Sequence, residues 1–161
     1  MNDDKDLARR RAQFEAERQF ILERGGRRWI ETYIKPYYTQ GYAAPDADEF
    51  DALLPRLRTL ALKLASDDVA SMLKMHWRVQ RVAAWFAMAG CDPSLSGPVH
   101  EGFDHCYGYL TSPCLTAAAL VYPNDRAAEV LTRYRDRAIA SEWVNRPGVS
   151  GGSDWVAMAW R

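Results

Sequence analysis

The sequence predicts an all-α protein, and three observations carry that prediction. Apolar residues recur three and four apart through most of the chain, no segment shows the strict alternation of a strand, and Pro, Gly and Ser punctuate the apolar runs at short intervals. At 161 residues the chain suits one domain with a small extension and a core that needs no disulfides.

Residues 1–26 read as a charged N-terminal helix. From Asn2 to Arg24 there are six acidic and six basic residues, and Leu7, Phe14 and Ile21 supply only a seven-spaced seam. So narrow a stripe lays a helix along another surface without folding alone. Gly25-Gly26 ends it. Residues 27–161 form the main helical domain. In residues 28–42, Trp29, Ile30, Tyr33, Ile34, Tyr37 and Tyr38 give one buried face, and Pro36 kinks that helix or ends it. PDADEFDALLPRLRTLALKLA follows, with Asp46 and Glu49 at capping-box spacing and a stripe of Phe50, Leu53, Leu57, Leu60 and Leu64. Pro55 inside it predicts a kink or a short first turn. Ser66 is expected to cap the next helix, through Val69, Met72 and Leu73, and so short a linker predicts an antiparallel hairpin of the two.

From Val82 to Ala89 every residue is apolar, so the helix of residues 76–90 is expected to be buried on most sides and to stop at Gly90. Pro98 is read as the first residue of a helix reaching Leu110, and Ser112-Pro113 opens the apolar CLTAAALVY. Residues 125–139 show one apolar face, Ala127, Val130, Leu131, Tyr134 and Ala138, against a charged one. GVSGGS lacks the lysine and the preceding strand of a phosphate loop and reads as a connection before a short terminal helix, Trp155–Trp160.

Charge and composition exclude several classes. The 21 basic and 21 acidic side chains balance, which argues against a nucleic-acid partner. An N-terminus with no apolar core and the absence of an 18-residue apolar run point to a cytoplasmic protein without membrane insertion. Cys91, Cys106 and Cys114 are odd in number and lack CxxC spacing, so they read as thiols of a reducing compartment, with no metal and no cofactor.

Two clusters carry candidate chemistry. His76 with Arg78 and Arg81 could line an anion pocket; the favoured reading makes His76 a helix-start residue and pairs Arg78 with an acidic residue on a neighbouring helix. HEGFDHCYGYL gathers His100, Glu101, Asp104, His105 and Cys106. On a helix, Glu101 shares a face with His105, and His100 with Asp104. Zinc would also need Cys91 or Cys114, and no familiar ligand spacing is present. A Cys106 nucleophile served by His105 is disfavoured because adjacent helical residues point about 100 degrees apart. The favoured reading is a half-exposed helix with Cys106 turned inward.

The stretch from Trp77 to Trp85 resembles the second helix of a HEAT-type repeat, in which small residues let neighbouring helices approach. With the Trp77-Arg78 and Ala84-Trp85 pairs, the alanine-rich helix after Pro113 and Asp154-Trp155, residues 28–161 look like a bacterial family of short HEAT-like proteins. The resemblance implies stacked antiparallel helix pairs, an α-solenoid, and no catalytic residues. Proteins that look like this are often toxin-neutralising immunity proteins, so it also implies a protein partner, a toxin domain. Residues 46–104 hold nine acidic against six basic side chains. The expected partner-binding residues are accordingly Asp46, Asp48, Glu49, Asp67, Asp68, Glu101 and Asp104, with the turn-proximal aromatics Tyr38, Tyr42, Tyr107 and Tyr109. The competing expectation is a small enzyme or metal-binding protein with its site at His76, Arg78, Glu101, Asp104, His105 and Cys106.

Overall fold

Two glycines set the first corner. Helix α1 (Asp3–Glu23) closes with Gly25 at φ 108° and Gly26 at φ 57°. Gly26 N–H returns to the Ile21 carbonyl at 2.8 Å and Gly25 N–H to Leu22 at 3.2 Å, a paired closure that needs a left-handed residue. The computed structural model describes residues 3–37, 47–106, 110–123 and 125–140. Among these residues every regular element is helical and there is no strand.

Helix α2 (Arg27–Trp29) runs into a π turn, Ile30–Ile34, closed by Lys35 N–H on the Ile30 carbonyl at 2.8 Å. Pro36, with no N–H to continue the ladder, lies just beyond. Trp29, Ile34 and Tyr37 are buried, as the spacing predicts. Helix α3 (Ala47–Ala61) passes through Pro55 without a break in its helical assignment. Helix α4 (Ser66–Met72) starts at Ser66 itself, not after it. The expected Ser66 cap does not form, because the hydroxyl donates to Asp92 Oδ2 instead.

Helix α5 (Trp77–Gly90) is the spine. Val79, Gln80, Arg81, Val82, Ala83, Ala84, Phe86 and Ala87 are all buried. Its left-handed terminal residue is Cys91, φ 52°, with its N–H on the Ala87 carbonyl at 3.0 Å, so the expected role of Gly90 falls one residue later. Asp92 then accepts from Ser94 N–H at 2.9 Å and Pro93 opens a 3-10 turn, Pro93–Leu95, so the start signal is Asp92-Pro93 rather than Pro98. Helix α6 (Ser96–Gly102) is shorter than expected. It tightens into a 3-10 turn, Phe103–His105, and Cys106 is extended. Gly102 is where the close approach occurs: a Cβ there would stand 3.1 Å from Leu115 Cδ2 and 3.5 Å from the Leu73 carbonyl. Helix α7 (Ser112–Val121) begins with Ser112-Pro113 as predicted, and α8 (Asp125–Ala140) buries Val130, Leu131 and Tyr134.

Helix α5 packs chiefly against α3 and α7, and also against α4, α6 and the π turn; α6 packs on α7 and α8. The expected pairing of α3 with α4 is thus replaced, since both turn their main contacts to α5. The C-terminal ends of α3, α5 and α7 meet: a Cβ on Gly90 would lie 3.6 Å from Ala61 Cβ, and Tyr122 hydroxyl donates to the Ala87 carbonyl at 2.7 Å. One continuous apolar cluster runs from Phe20 to Tyr134 and so includes the end of α1. No helix of the described residues is long and apolar enough to cross a membrane.

Candidate functional site

The first turn of a helix leaves N–H groups without intrahelical acceptors. At the start of α5 one of these is taken by α1: His76 N–H donates to Glu17 Oε2 at 2.7 Å. Burial pushes the Glu17 pKa up, against the lowering effects of this bond and of the Arg78 charge. His76 is partly buried; burial, and secondarily Arg78, push its pKa down. The Arg78 guanidinium lies over the Trp77 ring at 4.3 Å from its centroid. Arg78 therefore acts electrostatically on an acidic residue of another helix, and His76 stands immediately before α5.

Four of the candidate acidic residues stand on α4, α6 and the turn after it. Asp68 is held by Arg24, in the turn that follows α1, Nε to Oδ1 at 3.0 Å, with Nη2 on the same oxygen. Glu101 faces Lys74 at 3.1 Å and Arg126 at 3.7 Å, and Asp104 faces Arg133 at 4.0 Å. Each of these carboxylates meets a cation from another element. Those of Glu101 and Asp104 are substantially exposed and add little to stability. Asp67 is exposed in the first turn of α4, where the helix dipole favours an anion. Asp48 and Glu49 belong to the first turn of α3. Tyr38, Tyr42, Asp46, Tyr107 and Tyr109 lie outside the described residues, as do GVSGGS and Trp155–Trp160.

The proposed enzyme cluster separates by depth. Asp104 and His105 are exposed, Glu101 is half-buried, and Cys106 is turned inward, its Sγ 3.2 Å from Thr111 Oγ1. Beside it Cys114 is buried, and burial pushes its thiol up to about 11, away from thiolate chemistry. His100 is fully buried, its pKa lowered first by burial and then by Arg126. Arg81 is buried too, with Nη1 3.4 Å from the Leu110 carbonyl. Among the described residues no three His, Cys, Asp or Glu side chains converge as they would to hold a metal ion.

Sequence reading missed Glu17 and Arg24, whose partners are 59 and 44 residues away. Periodicity carries no signal for such pairs. It also missed the large apolar residues left outside, Leu62 at 71%, Leu120 at 60% and Val121 at 42% exposure. Nothing marked the last two, because α7 contains no charged residue and a helix of that kind reads as buried all round. Compared with protein-family models, curated proteins and solved structures, the chain matches none.

Proposed function

We propose that this chain is a protein-binding helical scaffold, and that the partner it neutralises is a toxin. The observation that carries the scaffold reading is the set of large apolar side chains held outward on packed helices: Leu62, Leu120 and Val121, with Leu54 on α3. Large apolar side chains left exposed together on or beside packed helices suit recognition better than catalysis. The solenoid reading is part of the proposal. In it, α3, α5 and α7 form one layer, α4 and α6 return the chain between them and α8 follows, with small residues of α5 allowing close approach. The toxin as partner comes from the resemblance of residues 28–161 to short HEAT-like proteins.

In this reading these acidic residues have an ancillary part. A basic partner would compete with Arg24, Lys74, Arg126 and Arg133 for Asp68, Glu101 and Asp104, whereas Asp67 presents its carboxylate outward. They therefore add long-range steering rather than most of the affinity. Co-expression with the product of an adjacent toxin gene tests the proposal. The expected result is restored growth and a co-purifying complex of fixed stoichiometry. Growth arrest that this chain never relieves, with no complex, overturns it.

A further inference from the structure

Three helix ends and three exposed apolar side chains share one end of the molecule. The ends of α3, α5 and α7 are brought together by the approach of Gly90 to Ala61 and by the Tyr122 bond to Ala87. The turns that leave them are tied as well, since Ser66 after α3 bonds Asp92 after α5. Leu62 stands at the end of α3, and Leu120 and Val121 at the end of α7. Cys91 is exposed directly after the end of α5. Over residues 61–65, 90–95 and 119–123 the charged side chains are Lys63 and Asp92, which cancel.

The backbone does not cancel. Each helix C-terminus carries roughly half a negative charge from its aligned peptide dipoles, and α3, α5 and α7 are each long enough, at 15, 14 and 10 residues, to develop it. Asp92 stays ionised, its carboxyl held below the usual range by hydrogen bonds from the Ser66 hydroxyl and from Ser94. The end is thus apolar at Leu62, Leu120 and Val121 and negative in the ground between them.

Resting on the scaffold reading above, we propose that this end is a docking face for a cationic amphipathic segment of the protein partner. The segment's leucine-like residues cover Leu62, Leu120 and Val121, and its Lys or Arg groups meet the helix ends and Asp92. A second copy of the chain suits the face less well, because two negative ends would oppose one another.

A dye-labelled synthetic helix with Leu on one face and Lys on the other is the probe, read by fluorescence anisotropy. Two control peptides replace Lys by Glu or Leu by Ser. The wild-type chain should bind the Lys-Leu helix saturably, one to one, and neither control. Amide shift changes in two-dimensional NMR should centre on Leu62, Cys91, Asp92, Leu120 and Val121. L62K/L120K alters two exposed positions and keeps the far-ultraviolet spectrum; it should bind roughly tenfold more weakly or worse. L62N/L120N, which removes the apolar contact without adding charge, should lose less. Unchanged affinity in L62K/L120K, equal binding of the Glu control, shifts centred elsewhere, concentration-dependent dimerisation through this face, or preference for anionic lipid vesicles each overturn the proposal. The two readings fail separately. If L62K/L120K relieves toxicity as fully as wild type, the face is wrong and the scaffold stands, whereas a wild type that relieves nothing removes the scaffold whatever the peptide does.

Discussion

Gln80 is fully buried in the first half of α5, and its side-chain amide donates to the Leu73 carbonyl at 2.7 Å and the Gly102 carbonyl at 2.9 Å. One side chain thus ties the end of α4 to the end of α6. Gln80→Leu keeps the volume and strands two buried carbonyls, a loss of about 2–4 kcal/mol, reduced somewhat because the Gln80 Oε1 it removes has no acceptor role among the described residues. Urea unfolding should show the lower midpoint with an unchanged slope; a shift under about 0.5 kcal/mol means the amide ties nothing. His100 makes a pH prediction. Burial lowers its folded pKa below the unfolded value of about 6.5, so the unfolded chain takes the proton more readily. Its contribution is whole above about pH 6.5 and is lost as pH falls through the folded pKa. Glu17 works in the opposite sense: its pKa is raised, so its contribution is whole below the ordinary carboxylate value and is lost as pH rises through the raised one. Comparing wild type with His100→Gln cancels Glu17 and His76 and isolates the first effect: wild type should lose stability relative to the variant between about pH 7 and 5. Parallel curves would remove His100 as the cause. At this scale little was legible in the sequence. Gln80 and His100 sit at apolar-periodic positions, but which carbonyl or cation each meets is set by elements distant along the chain.

Helix α1 is held to the rest of the molecule by three contacts near its C-terminal end. Glu17 receives His76 N–H, Arg24 pairs with Asp68, and the Phe20 ring meets Trp29 edge-on at 5.5 Å between centroids. Of the expected seam of Leu7, Phe14 and Ile21, Ile21 packs against the core but Phe14 is 64% exposed, and Phe20 is buried in its place. The seven-residue spacing found Ile21 and missed Phe20 because so charged a helix has no dominant apolar face, and two of its anchors, Glu17 and Arg24, are charged. Phe20→Ala should therefore undock α1 without unfolding the core. Hydrogen exchange is the measurement: α1 amides should lose protection at least about tenfold while the amides of Val82–Ala87 keep theirs. Loss of protection in both places would show α1 to be part of the cooperative core. Element existence was otherwise well marked in the sequence, by the apolar stripe of α3, the unbroken apolar run of α5 and the Ser112-Pro113 start of α7. Element ends were not. Gly90 yields to Cys91 because the tight turn is set by where the chain must leave α5, and Pro98 yields to Asp92-Pro93 because a side-chain acceptor one residue before proline starts a turn more effectively than proline alone.

At the scale of the molecule the neighbours of each helix were the least legible feature, because a short linker says that two helices are close in sequence and not that their faces meet. The apolar faces decided: α5 offers a buried surface on most sides, so α3 and α7 both settle on it, and α4 is left to bridge. Ala83, Ala84 and Ala87, each without exposed surface, let the flanking helices come close. Ala84→Leu adds three carbons where no room exists, which costs about 1–3 kcal/mol in overpacking. How that loss is distributed separates two pictures of the fold. A stack of semi-independent repeats would come apart unit by unit, with tryptophan fluorescence and far-ultraviolet ellipticity changing at different denaturant concentrations. The single apolar cluster from Phe20 to Tyr134 predicts instead that the two probes change together in the wild-type chain and shift together in Ala84→Leu. The chain has six tryptophans, so the comparison is made in a background with Trp143, Trp155 and Trp160 changed to Phe; the remaining Trp29, Trp77 and Trp85 lie on α2 and α5, whereas the ellipticity reports all the helices, so a transition confined to α7 and α8 would appear in one signal and not the other. Separate midpoints would mean that α5 joins its neighbours less tightly than its burial implies, and that the far end of the layer can open while the spine stays folded.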